Sequence, residues 1–195
     1  MINSINNNQL TLLIYLIIGA LAYSGVSFGQ ESATSTRPIG QASRLDIVPV
    51  MDGDVLNDPA WHKAEPITDF WQTQPNAGQP VSQRTEVFVG FSDDALHIGV
   101  VAYDEQPELI IATDSRRDSS LDDTDSFRVL IDGLLDRQNG FVFGTNPASV
   151  EFDGQVMREA AGQYVPGGQG GFNSNWDAPW AVQSKIGDYG WSAEM

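Results

Sequence analysis

Apolar and polar positions alternate most clearly across residues 124–146, TDSFRVLIDGLLDRQNGFVFGTN. Phe127, Val129 and Ile131 alternate with Ser126, Arg128 and Asp132, the period of a half-buried strand. Phe141 and Phe143 repeat the pattern, and Asn139-Gly140 before them is turn chemistry suited to closing a hairpin. The pattern predicts two antiparallel strands at the centre of the fold. Asp122, Asp123 and Asp125 precede the first, and Asp132 and Asp136 follow it, making this region the candidate rim of a site.

The same period recurs on either side. Residues 44–51 predict an edge strand, because Pro49 lacks a ladder donor. Asp52-Gly53 then turns the chain, and Asn57 or Asp58 can cap a helical turn begun by Pro59, with Trp61 as a core plug beneath it. Residues 84–91 and 95–103 predict a hairpin about Ser92-Asp93-Asp94, with Leu96, Ile98 and Val100 on one face and His97 on the other. Residues 107–113 fit either a helical turn or an edge strand. Residues 149–152 and 155–158 read as a further hairpin about Asp153-Gly154, and 165–176 as a Gly-rich loop. Residues 180–186 and 189–195 form a last pair about Gly187-Asp188. Many short strands with turn signals between them predict an all-β protein, an antiparallel β-sandwich of jelly-roll-like layout with a few short helical turns.

The N-terminus follows another pattern. Residues 10–22 are an uncharged, mostly apolar run followed by Ser24, Gly25, Ser27 and Gly29. This predicts a signal peptide over 1–29, cut after Gly29, with an uncleaved anchor as the alternative. Residues 30–43 then form a flexible lead-in to a domain over 44–195. The last predicted strand reaches Met195 without a cap or turn, which suggests the front of a longer protein.

The chain of 195 residues carries 26 acidic and 10 basic side chains, a formal charge of −16, which disfavours phosphate backbones and so nucleic acid as a partner. It has no cysteine, which removes disulfides, thiol catalysis and cysteine-type zinc sites. Its two histidines, His62 and His97, lack metalloprotease spacing, and no nucleophile elbow or P-loop is present. Arg116-Arg117-Asp118 beside Asp122, Asp123 and Asp125 reads either as a loop held by Arg–carboxylate pairs or as a direct ligand contact. Calcium could use these acids as oxygen ligands, although their spacing does not match an EF-hand loop. Trp71 and Trp176 lie in polar, Gly/Pro/Asn-rich stretches, where an indole can cover the apolar face of a sugar ring. Trp61, Trp180 and Trp191 fit structural positions.

In order, Asp52-Gly53, Asp58-Pro59-Ala60-Trp61, Arg84-Thr85-Glu86-Val87, Arg116-Arg117-Asp118, Asp125-Ser126-Phe127, Asp132, residues 139–143 (NGFVF), Asn146-Pro147, Trp176-Asp177 and residues 190–194 (GWSAE) resemble the family 9 carbohydrate-binding module. The resemblance runs from Arg44 to the end of the sequence. More narrowly, it looks like the version at the front of bacterial outer-membrane proteins whose C-terminal part is a β-barrel. It implies a β-sandwich that binds an oligo- or polysaccharide without catalysis, in some members at chain ends between paired tryptophans and with structural calcium. On this chain Trp71 and Trp176 are then expected to stack on a sugar, with Arg117, Asp118 and Asp125 bonding its hydroxyls or holding the loop, in a protein of the periplasm or outer membrane. Relatives are joined to glycoside hydrolases. The alternatives are an interaction domain that packs against its own C-terminal β-barrel and binds no sugar, or part of a hydrolase acting on glycosyl bonds.

Overall fold

Strand-forming residues in this chain are apolar on alternate positions, and two sheets bury those faces against each other. A computed structural model describes residues 39–157, 168–169 and 171–195, all within one compact unit, Arg37–Met195. The predicted signal peptide over 1–29 and most of the predicted lead-in lie outside the described residues, as do 158–167 and 170. No helix among the described residues is long and apolar enough to cross a membrane.

The first sheet contains β1 (Ser43–Arg44), β2 (Thr85–Phe91), β3 (Leu96–Tyr103), β9 (Gln183–Gly187) and β10 (Gly190–Glu194), in the order β1-β2-β3-β10-β9. The second contains β4 (Phe127–Ile131), β5 (Gly140–Thr145), β6 (Phe152–Val156), β7 (Gly168–Gln169) and β8 (Phe172–Asn173), in the order β4-β5-β6-β8-β7. All pairings are antiparallel except β1 with β2, so the predicted all-β sandwich is the observed architecture.

Between the sheets lies a core of Val87, Ile98, Val100, Val182, Trp191 and Ala193, with Phe127 and Val129 packed on it from β4. The other face of the first sheet is covered by the chain before β2. There Val55, Trp61, Ala64 and Val101 form a second core. Of the two capping candidates, Asn57 and Asp58, it is Asp58 that caps the 3₁₀ turn Pro59–Trp61, through the Ala60 N–H at 2.7 Å. Trp61 is buried, and its Nε1–H donates to Glu194 at 2.9 Å. The Asp52 and Gly53 N–H groups donate to the other oxygen of the same carboxylate, at 3.1 and 3.0 Å. Glu194 is completely buried, and that burial raises its pKa despite these three donors. His97 is buried opposite Ile98 and hydrogen-bonds Ser92 at 3.1 Å, a structural role.

Four local expectations change. The strand predicted over 44–51 ends at Arg44, because the following residues leave the sheet to cover it and the Val50 N–H is taken by Asp58 at 2.7 Å. Asn139-Gly140 does not close the central hairpin tightly. Residues 132–139 form a wider loop in which Asp132 accepts the Leu134, Asp136 and Arg137 N–H groups. Asp153-Gly154 is not a turn but the middle of β6, paired throughout with β5. The Gly-rich stretch 165–176 contains the short β7–β8 pair.

Candidate functional site

The register of the second sheet decides which side chains share a face. Phe141, Phe143 and Asp153 face the first sheet with Val129, whereas Arg128, Leu130, Val142, Gly144, Phe152, Gly154, Val156 and Phe172 form the outer face. An open groove of about 690 Å³ lies on that outer face, with Leu121 and the polar groups of Asp118, Ser120, Asp122 and Arg128 at its side. Its floor crosses β4, β5, β6 and β8. Its volume suits a ligand of several rings.

Two glycines shape this floor by close approach. A Cβ on Gly154 would stand 2.3 Å from the Phe172 ring, so a bare backbone is what lets that ring lie over the sheet. A Cβ on Gly144 would meet Leu121 at 2.7 Å. The Phe172 ring is nearly parallel to that of Phe152, 11° apart in plane with centroids 6.1 Å apart. The Arg128 guanidinium sits 5.8 Å from the Phe152 ring centroid and pairs with Asp122 at 2.8 Å. That hydrogen bond, with the charge behind it, lowers the pKa of Asp122 and keeps it a carboxylate.

Arg117 and Asp118 lie where the preceding loop passes from one face of the sheet to the other. Arg117 bonds Glu151 and Asp177, lies 3.2 Å from Asp153 and 3.9 Å from Asp118, and also reaches the Ala178 carbonyl at 3.3 Å. Partial burial disfavours its charge, but Asp153, Asp177, Glu151 and Asp118 outweigh that and raise its pKa. Asp153 is buried and also accepts the Ala178 N–H at 2.8 Å. The Arg117 fork therefore ties β6 to the segment before β9, the loop-holding role among the sequence alternatives. Asp118, next in the chain, adopts a left-handed φ of 60°, donates its N–H to the Glu151 carbonyl at 2.9 Å, and borders the groove.

The remaining candidates sit elsewhere. Asp125 is tied to Ile111, whose N–H it accepts at 2.7 Å while donating its own N–H to the Ile111 carbonyl at 3.1 Å. Trp176 is half-buried, stacked on Phe141 with centroids 4.6 Å apart and edge-on to Phe143 at 6.0 Å. Trp71 pairs through its backbone with Pro80 and is 40% exposed. Among the described residues no ring contact joins Trp71 to Trp176. Trp180 lies edge-on to Phe143 at 5.3 Å. No group of three or more acidic or histidine side chains among the described residues is arranged to hold a metal ion.

The groove residues Arg128, Leu130, Val142, Phe152, Val156 and Phe172 were not singled out from sequence. Their signal was the apolar Leu130 and Val142 at outward positions of strands whose inward positions are also apolar. No family model, curated protein or solved structure matches this chain.

Proposed function

We propose that this chain is an exported, non-catalytic carbohydrate-binding module whose saccharide lies in the outer-face groove of the second sheet. The observation that carries the reading is the groove's composition, a floor of Phe152, Phe172, Val142 and Val156 beside Asp118, Ser120, Asp122 and Arg128. Pyranose rings have apolar faces and hydroxylated edges, and such a surface matches both. The Asp122 carboxylate, held charged by Arg128, is an acceptor for sugar hydroxyls. Export rests on the apolar leader at 10–22, and the order of motifs resembling family 9 modules supports the same function.

Calorimetric titration with xylo- and cello-oligosaccharides tests this. Saturable heat that is lost in Phe172→Ala supports the groove. Heat lost only in Trp71→Ala moves the site to the loop that carries that residue.

A second reading, an interaction domain docking another protein on the same face, is favoured by Leu130, Leu134 and Leu135, exposed by 60%, 73% and 88% at and beyond the end of β4. A folded protein with no affinity for any saccharide would favour it.

A further inference from the structure

We infer that the groove holds an uncharged glycan along its length, by internal sugar units, rather than capping a chain end. This rests on the carbohydrate-binding reading above and adds the mode of binding and the class of chain. Three features carry it. The groove is open to solvent on a sheet face, with its floor spread over four adjacent strands of the second sheet. Three inter-strand spacings give a floor about 14 Å across, longer than one pyranose ring. The Phe152 and Phe172 rings are stacked nearly parallel, 11° apart in plane with centroids 6.1 Å apart, closer than the two van der Waals contacts of about 7 Å that a sugar ring clamped between them needs, so they cannot serve as two walls facing across a slot. A chain-end clamp needs facing rings and a blocked end.

Charge selects the class of chain. The rim has the carboxylates of Asp118 and Asp122 against the single guanidinium of Arg128, which is already paired with Asp122. The whole chain carries −16. A polyuronate or sulfated glycan would meet repulsion both at the rim and at long range. Neutral polymers such as xylan, glucomannan or mixed-linkage β-glucan do not. Their hydroxyls can donate to Asp118, Asp122 and Ser120 and leave the Arg128–Asp122 pair intact.

The test uses the whole chain with those three neutral polymers, polygalacturonate, and xylo- and cello-oligosaccharides of increasing length with and without borohydride reduction of the end unit. We expect affinity for one neutral series to rise with length, to be unaffected by end reduction, and to saturate on the matching polymer with more protein molecules than chain ends. Polygalacturonate should not bind. Phe172→Ala should weaken binding about tenfold, and Asp122→Asn, a milder exposed change, should weaken it with unchanged thermal unfolding. Saturation by a mono- or disaccharide, loss of affinity on end reduction, or one protein per polymer chain would overturn internal binding while leaving saccharide recognition standing. Preference for polygalacturonate would overturn the charge argument. Absence of binding to every neutral polymer by the folded protein would overturn both this inference and the reading beneath it.

Discussion

Glu194 joins the covering layer to the first sheet, and replacing it with alanine isolates that link. The substitution leaves two fully buried donors, Trp61 Nε1–H and Gly53 N–H, without an acceptor, together with the partly buried Asp52 N–H. At about 1–3 kcal/mol for each fully buried donor, the loss is about 4 kcal/mol. For a domain of this size that lowers the unfolding midpoint by roughly 8–16 °C. Glu194→Gln is milder, about 1–2 kcal/mol, because its amide can still accept on one side and carries no buried charge. The pH dependence has a definite sign. Burial raises the pKa of Glu194 above its ordinary 4.5, so the folded state binds its proton more tightly than the unfolded chain. The stability this contributes is fully present below pH 4.5 and is lost as pH rises through the folded value. The advantage of wild type over Glu194→Gln should therefore shrink as pH is raised above that point. Circular dichroism melts of the three proteins between about pH 4 and 8 measure both effects. An unchanged midpoint in Glu194→Ala would refute the structural link, and a gap that widens with pH would refute the dominance of burial.

Other substitutions separate structure from recognition. Gly154→Ala should displace the Phe172 ring, whose atom lies 2.3 Å from the added carbon, and weaken saccharide binding in calorimetry while costing less than about 1 kcal/mol of stability, since the ring can swing outward. Trp176→Ala should cost about 2 kcal/mol in urea unfolding through loss of its stack on Phe141, and Trp71→Ala less than about 1 kcal/mol. Arg117→Gln should cost about 2 kcal/mol in the same assay, allowing for its 35% exposure, because among the described residues buried Asp153 then keeps only the Ala178 N–H. An Arg117→Gln midpoint equal to wild type would show that the remaining donors suffice.

Local patterns were legible where one strand settled its own face. The β2–β3 pair followed from two strand-forming apolar runs joined by the short Ser92-Asp93-Asp94 connection, and the Pro59 turn with its cap and the Trp61 plug from adjacent residues. Asp153-Gly154 misled because its usual meaning, a turn, is overridden by Arg117, which lies 36 residues earlier and fixes that aspartate inside a strand. The groove was hidden for a related reason. Its floor draws outward-facing residues from four strands, and only the register shows that Leu130, Val142 and Phe172 lie on one side of the sheet. Arg117 and Asp118 were visible as an unusual pair, but their different tasks, bracing the loop and bordering the groove, depend on which side of the sheet each reaches.

β10 lies between β3 and β9, although it follows both of them in the chain. The roughly 90 residues between β3 and β10 take about 5–20 s to synthesise. Throughout that interval the β3 edge lacks its neighbour, part of the Ile98–Val100 face is uncovered, and the Trp61 indole has no carboxylate to bond. An open, apolar strand edge is a template for pairing with other chains. The nascent domain therefore stays adhesive until β10 has been made, and its yield should respond to holding chaperones that act during that interval.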